Sequence, residues 1–156
     1  MERTLVLLKP DALQRGLLGE IISRFERKGL KMVGMKMMRL DDELLDVHYA
    51  HLGHLPFFGE IKAFMMLTPV IAICWEGVNC VEVVRRMCGV TKSWEAEPGT
   101  IRGDLGMSIQ ANLVHASDSL ETAQAEVRRF FRDDELFEWE WIQTPYLYTK
   151  KEREAG

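Results

Sequence analysis

Thr4 to Leu8 is a run of β-forming, almost wholly apolar residues cut off by Lys9-Pro10-Asp11. A strand of that kind suits a position covered on both faces, in the middle of a sheet. Pro10 cannot donate into the ladder and ends it, while Asp11 and Gln14 stand at capping-box spacing and predict a helix start. Lys9 is thereby placed at a strand end directly before a helix N-terminus.

Leu18, Ile21, Ile22 and Phe25 then recur at helical spacing, with charged residues between them and Gly29 as the stop. Lys31 to Leu40 reads as a second strand with Val33, Met35 and Met37 on one side; its methionines suit a core or subunit-contact filler better than a soft metal site. Asp41-Asp42 opens a helix through Leu44, Leu45 and Val47 toward Gly53. A second short helix follows Pro56 with Phe57, Ile61 and Phe64. Joined by a hinge at Leu55-Pro56, these two helices can stand off the sheet as one jaw of a cleft.

Val70 to Trp75 is a third strand, and Val78 to Cys88 a helix ended by Gly89. Val90 to Leu105 turns irregular around Pro98-Gly99 and Gly103, which predicts a long loop of the kind that carries function. Asn112 to His115 forms a fourth strand ending in the histidine. Asp118 and Glu121, again at capping-box spacing, start a last helix over Leu120 to Phe131 with Ala123, Val127 and Phe130 inward. From about residue 132 an aromatic tail, Trp139-Glu140-Trp141 to Tyr148, is set to pack on this subunit or on a neighbour.

The order β-α-β-(αα)-β-α-loop-β-α predicts an α+β fold, a ferredoxin-like four-stranded antiparallel sheet with helices on its faces. Neither GxGxxG nor GxxxxGK[ST] occurs, so no glycine-rich phosphate cradle is present. The 156 residues fit a single domain spanning residues 1–156. A net charge of −4 gives no general pull on nucleic acid, so an anionic ligand has to be held by a few cations gathered in one place. Three cysteines without a zinc or CxxC spacing suit free thiols in a reducing compartment. No signal peptide is recognisable, and the apolar run from Ala63 to Trp75 is broken by Thr68-Pro69; a cytoplasmic protein is expected.

His115, at a strand-to-helix junction, is a candidate nucleophile, since neutral imidazole can attack a phosphorus or carbonyl centre without a metal. Lys9, Arg85, Thr91 and Arg102 are candidates to hold phosphate, Arg102 being fixed between Pro98-Gly99 and Gly103. His48, His51 and His54 have spacings of three that allow a metal on one helical face. No fourth ligand is suggested nearby, and a partly solvated helix face is the simpler expectation.

Leu7-Leu8-Lys9-Pro10-Asp11-Ala12, His48-Tyr49, Pro56-Phe57-Phe58, Pro98-Gly99-Thr100-Ile101-Arg102-Gly103-Asp104 and Asn112-Leu113-Val114-His115-Ala116-Ser117-Asp118-Ser119 together resemble the nucleoside diphosphate kinase family, in order and in spacing from Arg3 to about Phe131. The resemblance implies that His115, through Nδ1, takes the γ-phosphoryl group of a nucleoside triphosphate and hands it to a diphosphate in a ping-pong reaction. It further implies that Glu126 orients the ring and Ser117 lies beside it. Lys9, Tyr49, Arg85, Thr91, Arg102 and Asn112 match positions that hold phosphates and ribose, Phe57 matches the base-stacking position, and Leu52 and Ile61 line the same jaw. Magnesium is implied as a companion of the substrate phosphates, and a homohexamer, with tetramers known, as the assembly.

Three positions depart from the family pattern: Ala116 in place of a usual glycine, Lys92-Ser93-Trp94 where a proline is common, and Leu105 for a phenylalanine. The first matters only if that backbone needs a positive φ. A phosphohistidine carrier accounts for His115 but not for Phe57 or the ribose side. An RNA-binding ferredoxin-like module needs a basic face that this acidic chain lacks. A catalytically silent regulatory relative is disfavoured because every matched position is occupied.

Overall fold

In the computed structural model, which describes residues 1–155, the chain runs β1 (Glu2–Leu8), α1 (Pro10–Gln14), α2 (Leu18–Lys28), β2 (Lys31–Met38), α3 (Asp42–His48), α4 (Phe58–Met65), β3 (Val70–Gly77), α5 (Cys80–Cys88), α6 (Ile101–Leu105), β4 (Val114–Ala116), α7 (Leu120–Phe130), α8 (Thr144–Leu147) and α9 (Lys150–Ala155). The strands form one sheet in the order β2-β3-β1-β4, each neighbouring pair antiparallel. The α+β ferredoxin-like arrangement expected from the pattern is the one observed.

Leu5 to Leu8 are fully buried because β1 is central and helices cover both faces. Side-chain alternation along the strand divides the core in two. Val6 and Leu8 pack with Ile73 and Trp75 beneath Ile21 and Phe25 of α2 and Val84 of α5. Leu5 and Leu7 pack with Ala72 and Cys74 against Leu45 of α3, Met65 of α4, and Val127 and Phe130 of α7. All three cysteines are free and buried.

Several local expectations are corrected. Asp11 does not cap a helix: Pro10 occupies the first position of α1, and no side chain caps it. Asp11 Oδ2 instead accepts the Leu113 N–H at 3.0 Å, at a residue whose φ of 74° is left-handed. At α7 the cap is Ser119, not Asp118; its Oγ accepts the Thr122 N–H at 3.1 Å. Asp41 caps α3 as expected, accepting from Leu44 N at 2.8 Å.

Val33, Met35 and Met37 do not share a side. A register shift between Met32 and Gly34 inserts an extra residue, and such a bulge reverses the alternation beyond it. Val33 joins the Leu5 and Leu7 core, whereas Met35 and Met37, opposite Ile73 and Ile71, are exposed. The aromatic tail is hydrogen-bonded along this edge of its own subunit, with the Phe137, Trp139 and Tyr146 rings left exposed. Phe137 N donates to Val33 O at 2.8 Å and Trp139 Nε1 to Met32 O at 3.0 Å.

The stretch from Val90 to Leu105 is not all loop: Ser93–Glu95 forms a short 3-10 turn, and Arg102 sits on α6, capped by Thr100 Oγ1 on Gly103 N at 3.0 Å. Ala116, where the family favours glycine, has no positive φ, so alanine carries no conformational cost. Gly103 has no such latitude, because a Cβ there would lie 1.9 Å from Glu97 O. Gly103→Ala should therefore displace the turn that carries Arg102 and destabilise the protein by about 1–3 kcal/mol, read from urea unfolding midpoints.

Candidate active site

A cleft of about 1210 Å³ opens between the α3–α4 jaw and the ends of β1 and β4. Lys9 enters it from the end of β1, His115 from β4, Glu126 from α7, Arg85 from α5 and Arg102 from α6; Thr91 and Asn112 come from connecting segments. Tyr49, Leu52, Phe57 and Ile61 form the jaw wall. Eleven of the twelve site residues expected from the sequence thus line one cleft. The twelfth, Ser117, is fully buried behind it.

His115 Nε2 lies 3.0 Å from each oxygen of Glu126, and Ser117 Oγ donates to Glu126 Oε1 at 2.6 Å. An ionised carboxylate only accepts, so it selects the tautomer with the proton on Nε2. The lone pair is then on Nδ1, the nitrogen available to the cleft. Burial alone would push the Glu126 carboxyl up, but the bonds from His115 and Ser117 and the neighbouring His48 outweigh it and hold the group down at about 2.

The cations are built in from the backbone. Arg102 donates from Nε to Asn112 O at 3.2 Å, from Nη1 to Gly89 O at 2.8 Å and from Nη2 to Val114 O at 2.6 Å. One hydrogen on each terminal nitrogen is left for a ligand. Lys9 Nζ donates to Asn112 Oδ1 at 2.8 Å and Gln110 O at 3.0 Å, again with one hydrogen to spare. Burial, with Arg102 adding to it, lowers the Lys9 pKa to about 8; a bound anion opposes both effects. Both Asn112 amide hydrogens are spent on Thr91 O and Ile109 O, at 3.0 and 2.9 Å, so Asn112 offers a ligand only the second lone pair of Oδ1. Burial first, then the Glu126 charge, push the Tyr49 phenol well up, so its hydroxyl remains a neutral donor. Phe57 is 48 % exposed at the lip.

His48, His51 and His54 do not form a shared solvated face. His51 and His54 are exposed, but His48 is buried, with its ring centroid 4.5 Å from that of His115. Burial foremost, then His115, lower its pKa to about 3 and keep it neutral. Its place beside His115 is not legible in the sequence; the His48-Tyr49 dipeptide is the only signal, and it points to Tyr49. Nor is that of Arg129, which donates from Nη1 to His48 Nδ1 at 3.1 Å. Among the described residues, His48, His115 and Glu126 are the one histidine-carboxylate group close enough to hold a metal. Their donors already engage one another, and the Arg129 guanidinium beside them repels a cation.

The family described as nucleoside diphosphate kinase matches residues 2–136. A nucleoside diphosphate kinase of Parabacteroides distasonis is 57 % identical over 152 residues, covering 97 % of this chain and 99 % of that protein. One from Archaeoglobus fulgidus is 47 % identical over 151 residues, 97 % and 100 % of the respective chains. The structure of a halophilic nucleoside diphosphate kinase from Halobacterium salinarum in complex with CDP superposes with a TM-score of 0.92 at 46 % identity, covering 94 % of this chain and 98 % of that one.

The depressed Glu126 pKa fixes a sign. A carboxylate held below its ordinary 4.5 stabilises the fold above that pH, and the contribution is lost as pH falls toward about 2. The stability gap between wild type and Glu126→Gln should therefore narrow between pH 5 and pH 2 in denaturant titrations; a gap constant with pH would contradict it.

Proposed function

The chain belongs to the nucleoside diphosphate kinase family, and we propose that it moves the γ-phosphoryl group of a nucleoside triphosphate to a nucleoside diphosphate through a phosphohistidine on His115. The observation that carries this reading is the ring itself, bound by Glu126 at Nε2 and left with Nδ1 available to a cleft lined by Lys9, Arg85 and Arg102.

In the first half-reaction the Nδ1 lone pair forms the P–N bond while the γ-phosphorus parts from the bridging oxygen, whose electron pair leaves with the diphosphate. Nε2–H remains donated to Glu126, which balances the positive charge that develops on the ring. In the second, the terminal oxygen of an incoming diphosphate attacks the phosphorus and the electrons return to Nδ1. The transition state is loose, with charge on the equatorial oxygens, so Lys9, Arg85 and Arg102 act by electrostatics and alignment. Tyr49 and Thr91 add hydroxyl donors. Magnesium carried in with the substrate phosphates would neutralise part of their charge beside Lys9, Arg85 and Arg102.

Phe57 offers the base a π-face, with Leu52 and Ile61 beside it, and the free lone pair of Asn112 Oδ1 suits a ribose hydroxyl. Stacking of this kind accepts purines and pyrimidines alike; the CDP complex of the Halobacterium salinarum relative supports a nucleotide in this cleft. Ser117 acts through Glu126. The 156 residues work as one domain, in the cytoplasm, in a homo-oligomer that the family resemblance implies is a hexamer; exposed Met35, Met37, Trp94 and Met107 supply apolar contact area. No helix among the described residues is long and apolar enough to cross a membrane.

Protein mixed with radiolabelled ATP and magnesium should acquire a phosphate stable in base and labile in acid, discharged by GDP and by CDP. Labelling that persists in His115→Ala, or none in the wild type, would overturn the assignment. Phe57→Ala should weaken all nucleotides by about 1–3 kcal/mol in equilibrium binding; a loss confined to one base would mean that base edges are read.

A further inference from the structure

Glu126 and Arg129 lie three residues apart on α7, a spacing at which opposite charges on a helix readily pair. They form no ion pair, although both reach the same place. Arg129 Nη1 donates to His48 Nδ1 at 3.1 Å, and Glu126 Oε2 lies 3.5 Å from that same nitrogen. Guanidinium and carboxylate thus both approach Nδ1 of the imidazole. Its ring is clamped edge-on by His115, Tyr49 and Phe130, with centroids at 4.5, 4.6 and 4.9 Å, and its side chain is inaccessible to solvent. Arginine has no acceptor, so Nδ1 must present its lone pair and Nε2 must carry the proton. That Nε2 is buried without a partner, a costly arrangement for a residue whose task is only to fill space.

We propose that His48 is a positioning residue that insulates the Glu126–His115 pair, occupying Arg129 so that the carboxylate remains wholly engaged with the nucleophilic ring. Without the imidazole, Arg129 turns to Glu126 in a bidentate pair, a geometry it favours. The carboxylate is drawn off Nε2 of His115, and the ring loses both its fixed orientation and its preferred tautomer. Arg129 is therefore harmless only while His48 holds it. This inference rests on the reading of His115 as the nucleophile, but its consequence for the ring can be measured without turnover.

The test compares wild type, His48→Ala, and His48→Ala combined with Arg129→Met. His48→Ala should slow single-turnover phosphorylation by ATP by about tenfold or more, with the Kd for ADP within about twofold of wild type. Nitrogen-15 NMR of the unliganded protein should show His115 losing its predominant Nε2–H tautomer. Removal of the arginine as well should restore most of the rate and the tautomer, so the double variant is faster than the single. His48→Asn, which keeps an acceptor near the position of Nδ1, should rescue both. If His48→Ala does not fold, His48→Leu fills the volume without an acceptor and should show the same signs. A double variant as slow as the single, or a His115 tautomer unchanged in the single, would overturn the proposal. Failure of the wild type to be phosphorylated would strike instead at the proposed function, and the tautomer comparison would still decide this one.

Discussion

The site depends on one buried carboxylate gripping one ring nitrogen. Glu126 takes the Nε2–H of His115 with both oxygens at 3.0 Å, and Ser117 pins the carboxylate from behind at 2.6 Å. That single interaction fixes the tautomer, aims the ring and supplies the counter-charge that a phosphorylated imidazole needs. The sheet serves it directly: β4 pairs with β1, α7 lies across the same sheet face, and histidine and glutamate meet at their junction.

Around this pair the cationic groups of the cleft are held by main chain more than by one another. Arg102 is tied to three carbonyls, and Lys9 to one carbonyl and to an asparagine amide whose two N–H groups are themselves anchored on carbonyls. Cations fixed in this way need little reorganisation when charge develops on a transferring phosphoryl group, which is how preorganised electrostatics lower a barrier. The jaw above them is largely apolar, and the Phe57 ring is exposed at its lip.

The features legible in the sequence were those whose physical signal is local and repeated. β1 declared itself because a strand buried on both faces has nearly no polar residues, and α2 because a helix of eleven residues shows its period. Asp41 capped its helix as expected, but the caps placed at Asp11 and Asp118 failed, the second because Asp118 and Ser119 are both good caps and only the backbone decides between them. α6, at five residues, is too short to show any period, so Arg102 read as a loop residue. The bulge at Val33 leaves no mark in composition, yet it turned two methionines outward. Glu126 has no local link to a histidine on another element and came only through the family resemblance. The burial of His48 was illegible for the same reason, because spacing in one helix cannot say which ring another element will cover.

With Nε2 of His115 already taken by Glu126, Nδ1 is the nitrogen left to carry a phosphoryl group. Heteronuclear phosphorus-31 and nitrogen-15 NMR of histidine-labelled protein charged with ATP locates the P–N bond directly. One coupling per chain is expected, to Nδ1 of His115; coupling to Nε2, or to any other histidine, would overturn this assignment.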